Sequence, residues 1–145
     1  GRRSAHDEKG PLFLVSLCTV PGIRSVKLAR ESVGSLLTQW LMPEVVLLVA
    51  PRNYTRFPGQ SVDLKAIWKP LPSRFKKPSF RFRYCAMDHG PGSKLLCALP
   101  VLRRLAASNS DRWFLVLADD DKAYKPWVLA GIACQFRFSF CKESV

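Results

Sequence analysis

Trp113-Phe114-Leu115-Val116-Leu117-Ala118-Asp119-Asp120-Asp121 (WFLVLADDD) decides how this chain is read. Six consecutive apolar residues, rich in aromatic and branched side chains, predict a short buried strand. Three aspartates stand directly at its carboxyl end. Adjacent carboxylates repel one another, so their charge calls for a cation or strong donors. Hard oxygen ligands suit Mg2+ or Mn2+, ions that commonly complete their shells with water and substrate phosphates. In an extended segment Asp119 and Asp121 project to one side and Asp120 to the other, so the outer pair can address one ligand together. The competing reading is an acidic turn that caps a helix near Pro126.

Upstream of the triplet, Pro91 to Ala107 shows helical spacing through Leu95, Leu96, Leu99, Leu102 and Leu105, and Pro100 should kink or divide that helix. Its start, Asp88-His89-Gly90-Pro91-Gly92-Ser93-Lys94, has two glycines that permit close backbone approach and a lysine that can meet an anion. The same heptad also reads as a plain helix start, with Asp88 as cap and His89 as a turn residue. Phe80 to Met87 (FRFRYCAM) alternates aromatic and basic residues, as a strand with one solvated face would. Between Pro51 and Pro78 the chain reads as irregular, with one short strand near Val62 to Trp68.

The amino-terminal third repeats the strand-helix-strand pattern. Leu12 to Val20 (LFLVSLCTV) predicts a core strand that stops at Pro21-Gly22. Ser25 to Leu41 places Val26, Ala29, Val33, Leu36, Leu37, Trp40 and Leu41 at helical spacing, and Pro43 ends the helix. Glu44 to Ala50 is a second apolar strand. After Pro126 a short helix reaches about Ala133, and Gln135 to Phe140 (QFRFSF) alternates as a half-exposed strand. The β-α-β-β-α-β order predicts an open, mostly parallel α/β sheet flanked by helices, with ligands at the carboxyl ends of the strands.

Length and composition bound these readings. At 145 residues and 48% hydrophobic content, the chain holds one domain over residues 11–145, preceded by a polar tail at residues 1–10. The longest apolar run, Val45 to Ala50, falls far short of the roughly 18 to 20 residues of a membrane helix, so no transmembrane segment is predicted. Twenty-three Lys and Arg against eleven Asp and Glu give +12, a charge that attracts anions without choosing among them. The densest basic stretch, Lys69 to Arg83, reads as a solvated loop rather than a nucleic-acid patch. Cys18, Cys85, Cys97, Cys134 and Cys141 show no CxxC spacing, which argues against zinc. Four of the five lie in apolar or helix-like stretches as small buried hydrophobes, and the odd count argues against a full disulfide framework.

Taken in order, these pieces resemble the glycosyltransferases of the GT-A nucleotide-sugar fold, particularly family-2-like bacterial and algal members. Phe13 to Pro21 is similar to that family's opening strand. Ser35-Leu36-Leu37-Thr38-Gln39 with Pro43 resembles its first helix. Asp88, Gly90, Pro91, Lys94, Leu95 and Leu96 match its D-x-G-P-x-x-K-L-L motif, and Asp119, Asp120, Asp121 and Tyr124 its DDD-x-x-Y motif. The resemblance covers about residues 12 to 130. It departs after Pro21, where Gly22 and Ile23 precede Arg24 and the family often places an arginine two residues after the proline.

The resemblance implies a metal-dependent enzyme that transfers a sugar from a UDP- or GDP-type nucleoside-diphosphate donor to an acceptor. Asp121, with Asp119, would ligate Mn2+ or Mg2+ at the diphosphate. Asp119 would also contact the donor's ribose or sugar side, and Asp120 would belong to the substrate-binding set. Thr19 and Pro21 would border the base, and Asp88, Gly90 and Lys94 would hold nucleotide or phosphates. The acceptor half and the general base are expected beyond Val145. Two other readings stand beside this one. The first is a basic module for single-stranded nucleic acid, built on the aromatic-basic strands. The second is a truncated transferase-like fragment without turnover. Localisation, cytoplasmic or in the Golgi and secretory lumen, depends on sequence upstream of Gly1.

Overall fold

The structure is a computed structural model that describes residues 10–68, 79–108 and 110–136. Four strands, β1 (Leu12–Cys18), β2 (Val45–Pro51), β3 (Ser79–Cys85) and β4 (Trp113–Ala118), form one sheet in the order β3-β2-β1-β4. Every pairing is parallel. The fold is therefore α/β, and each connection must carry the chain back to the amino end of the sheet before the next strand begins.

Central position explains why β1 and β2 read as unbroken apolar runs, because a parallel strand covered on both faces meets no solvent. Phe13 to Leu17 are all buried, and so is every residue of β2. The sheet separates two packed layers. Phe13, Val15, Leu17, Val46 and Leu48 face α1 (Ile23–Leu36), α2 (Leu64–Trp68) and α5 (Val128–Gln135) through Val33, Leu36, Leu64 and Leu129. On the other side, Leu14, Val45, Leu47 and Val49 meet Cys97, Ala98 and Val101, from α3 (Ser93–Leu96) and α4 (Leu99–Leu105) and the joint between them. Each fully buried leucine or phenylalanine contributes roughly 1.5–3 kcal/mol relative to an exposed one.

Several expectations are corrected. The strand anticipated near Val62 to Trp68 is helix α2, because Asp63 acts as an N-cap whose Oδ1 accepts from Lys65 N at 3.0 Å and Ala66 N at 3.3 Å. Strand β4 is not fully buried. It lies at the sheet edge, and Leu117 remains 43% exposed. Helix α1 stops at Leu36 rather than Leu41, as the side chains of Thr38 and Gln39 turn back to donate to Gly34 O and Ser35 O. Trp40 consequently leaves the apolar face and is 72% exposed.

The helix expected from Pro91 is divided, but at Cys97–Ala98 rather than at Pro100, and a 3-10 turn over Gly90–Gly92 precedes it. Beyond Phe136, the strand expected over Gln135 to Phe140 lies outside the described residues, while Gln135 itself closes α5. No helix among the described residues is long and apolar enough to cross a membrane.

The cysteines also differ from their reading as free buried hydrophobes. Cys85, the last residue of β3, is disulfide-bonded to Cys97 with their Cα atoms 6.0 Å apart. Both residues belong to the same apolar layer, and the bond needs only that convergence. Cys134 is disulfide-bonded as well, whereas Cys18 is a free thiol. Bridging residues 12 apart restricts the unfolded chain over the segment that holds Asp88, Gly90 and Lys94. Replacing both cysteines, Cys85→Ala with Cys97→Ala, should lower stability by roughly 3 kcal/mol in a urea titration.

Candidate functional site

Because all four strands are parallel, their carboxyl ends share one pole of the domain. The chain leaves β1 toward one face and approaches β4 from the other, which opens a crevice between these two strand ends. A cavity of about 370 Å³ occupies it. Cys18 and Val20 from the end of β1, Gly90, Pro91 and Lys94 from the turn before α4, and Asp119 to Lys122 after β4 line its walls, with Arg56.

Its centre is an ion pair between two residues singled out from sequence. Lys94 Nζ donates to Asp119 Oδ1 at 2.8 Å, and Lys122 Nζ lies 3.7 Å from Oδ2. These lysines, with Lys94 foremost, hold the Asp119 carboxyl below the usual carboxylate range. The backbone below Lys94 is fixed too, since the buried Ser16 hydroxyl of β1 donates to Lys94 O at 2.6 Å. On the other wall, Tyr124 Oη accepts from Asp119 N at 2.6 Å and lies 3.1 Å from Asp119 O, to which it donates.

The triplet is not an extended continuation of β4. A turn begins at Asp120, so strand alternation ends at Ala118. Asp120 is partly buried while Asp119 and Asp121 are exposed. Desolvation, reinforced by the charges of Asp121 and Asp119, pushes the Asp120 pKa up, and the Thr19 hydroxyl opposes that rise. Thr19 Oγ1 is itself buried without a well-formed hydrogen bond.

The remaining predicted residues have distinct places. Asp88 braces the turn, with Oδ1 accepting from Gly90 N at 2.7 Å and Oδ2 from Thr55 N at 2.9 Å. Those two donors lower its pKa. Gly90 adopts φ +57°, a left-handed conformation that favours glycine. Thr19 is fully buried, donating its N–H to Val49 O and accepting from Tyr54 Oη at 2.7 Å. Pro21 is half-buried in the β1–α1 connection and does not line the cavity. Beside it, burial and the charges of Asp120 and Asp88 push the Cys18 thiol up to about 11, which makes it a poor nucleophile.

Sequence reading missed what holds the acidic turn in place. Ser32, Ser35 and Gln39 form a polar stripe at the packed side of α1 and just past its end. Ser32 Oγ accepts from Lys122 N at 3.1 Å, and Ser35 Oγ from Tyr124 N at 2.9 Å. Gln39 Nε2 donates to Lys125 O at 2.8 Å, while its Oε1 accepts from Leu129 N at 3.1 Å. Three of these hydrogen bonds fasten the post-triplet loop, and the fourth fastens the first turn of α5, to α1 and the residues just past its end. The signal available in sequence was small polar residues interrupting an apolar helical face.

The arrangement can present carboxylates and cations to one ligand at the same mouth. Among the described residues no three His, Cys, Asp or Glu side chains converge as a cage. What lines the mouth suits a hard cation that takes few protein ligands and completes its shell with phosphate and water oxygens. No protein-family model matches the chain, and no curated protein or solved structure matches it.

Two outcomes follow from this geometry. In a carboxyl-carbon NMR titration, Asp120 should protonate at higher pH than Asp119 and Asp88. The contribution of Asp119 to stability is present above the ordinary carboxylate range and lost as pH falls through its depressed folded pKa. Lys94→Met should move the Asp119 titration upward, and an unmoved titration would separate the two residues. Gln39→Ala strands a buried amide and carbonyl and should cost about 1–3 kcal/mol in denaturant unfolding.

Proposed function

We propose that this chain is the nucleotide-sugar-binding part of a GT-A-type, family-2-like glycosyltransferase, and that the cavity at the carboxyl pole takes a nucleoside diphosphate. The observation that carries this reading is the Lys94–Asp119 contact. It brings the Gly90–Lys94 turn and the acidic turn, which lie 25 residues apart in sequence, to opposite walls of one open site.

Asp121 and Asp119 would hold Mg2+ or Mn2+, and Asp120 would complete the polar floor, with Thr19 buried behind it. With a diphosphate present, the Lys94 ammonium gains a more highly charged partner, which leaves Asp119 free to join Asp121. Arg56 and Lys122 add positive charge at the rim. The bound ion would supply Lewis-acid stabilisation of the departing diphosphate. In the transfer itself, the bond from the anomeric carbon to the diphosphate oxygen breaks. An acceptor oxygen bonds to that carbon, and its proton passes to a base. The residues of this chain account for donor binding and leaving-group charge.

The Cys85–Cys97 bond supports placing this chemistry in an oxidising compartment, such as the secretory or Golgi lumen, where disulfides persist.

Isothermal titration with UDP should show binding that requires Mn2+. Asp121→Ala should weaken it by more than about tenfold, the smallest loss typical even for residues that only support a metal ligand. UDP affinity indifferent to both manganese and Asp121 would contradict the assignment.

A further inference from the structure

The opposite pole of the sheet carries a different kind of surface. Trp40 and Met42 lie in the connection between α1 and β2, which reaches the start of the sheet where Glu44 N donates to Phe13 O. Trp127 packs against Trp40 with ring centroids 5.6 Å apart and planes tilted by 48°. Phe136 stacks on Phe114, the second residue of β4, at 4.9 Å. These four side chains remain 72% (Trp40), 40% (Met42), 50% (Trp127) and 57% (Phe136) exposed. They occur together at the amino ends of the strands, roughly 20 Å from the cavity, the length of a strand.

The backbone beneath the two indoles is fixed by hydrogen bonds. Trp40 N donates to Pro126 O at 2.7 Å, and Gln39 joins the neighbouring Lys125 carbonyl to the Leu129 amide. Ordering these rings on association therefore costs less entropy than ordering a mobile loop. The same pole carries basic residues on both faces of the sheet. Arg103 and Arg104 stand exposed in the last turn of α4, which runs down toward the start of β4, and Lys125 is exposed beside the indoles. Glu44 and Asp111 are the acidic residues at this pole among the described residues.

We infer that the amino pole docks on an anionic lipid surface, with Trp40 and Trp127 seated at the headgroup level and Arg103, Arg104 and Lys125 facing lipid phosphates and carboxylates. Tryptophan favours this boundary because its ring is apolar and its N–H needs a polar partner. Charge complementarity selects the lipid surface over a second copy of the chain, since a symmetric contact would set Arg103, Arg104 and Lys125 of one copy against the same cations of the other. The inference is independent of the proposed donor site. In this orientation the carboxyl-pole cavity faces away from the bilayer and stays open to soluble ligands.

Sedimentation with phosphatidylcholine vesicles, with and without phosphatidylserine, tests it. The full chain should bind only when phosphatidylserine is present, release progressively with added salt, and show a blue-shifted indole emission when bound. Arg103→Glu with Arg104→Glu should reduce binding by about fivefold for each charge removed, at least. Trp40→Ala with Trp127→Ala should reduce it by about tenfold or more. Both doubles should keep the wild-type unfolding midpoint and manganese-dependent UDP affinity, because all four side chains are exposed and remote from the cavity. Vesicle binding unchanged in both doubles, no binding to phosphatidylserine vesicles, or a Trp-dependent dimer without lipid affinity would overturn the inference.

Discussion

The site depends on strand β1 lying between two parallel neighbours. The register places Leu14 opposite Val45 on one side and opposite Leu115 on the other, so a single buried strand fixes the height of both partners. A one-residue slip would turn each apolar set to the wrong layer, which the two-sided core forbids. Because the pairing is parallel, the ends of β1 and β4 emerge side by side, and everything chemical in the domain is assembled at that edge. Ser16, inside β1, extends the same constraint through its hydrogen bond to Lys94 O. The strand thereby positions the basic wall of the cavity as well as the acidic one.

Electrostatics at this edge are arranged by contrast. Asp119, Asp120 and Asp121 are neighbours in sequence but not in environment. Lysines hold Asp119 ionised, desolvation pushes Asp120 toward its neutral form, and Asp121 faces solvent at the cavity rim. A turn that put all three carboxylates in one setting would have no such division of roles. The stripe of Ser32, Ser35 and Gln39 prevents this collapse by holding the loop's amides and carbonyls from behind. It also links the two poles of the molecule, since the strand of chain it fastens runs from the acidic turn down to Trp127.

Much of this architecture is legible in the sequence. The two-sided burial of β1 and β2 follows from apolar runs too continuous for an amphipathic strand, and the Gly90–Lys94 turn follows from glycines beside a helix start. Other features were hidden for physical reasons. Six apolar residues in β4 look the same whether one edge or both are covered, so its half-exposed edge position was invisible. The short helix α2 resembles a strand in sequence because five residues hold little more than one turn of periodicity, and a lone Asp63 cap is a weak signal. The Cys85–Cys97 bond depends on packing between residues that sequence spacing alone does not pair. Arg56 reaches the cavity from a loop with no pattern of its own.

The central claim is that the acidic turn and the Gly90–Lys94 turn enclose one site for a divalent ion with a diphosphate. Paramagnetic broadening by Mn2+ in the presence of UDP tests it directly, amide by amide. The account predicts loss of signal first at Cys18, Gly90, Gly92 to Lys94 and Asp119 to Lys122, with Trp40 and Trp127 at the far pole least affected. Broadening confined to another surface, or spread evenly across exposed carboxylates, would contradict it.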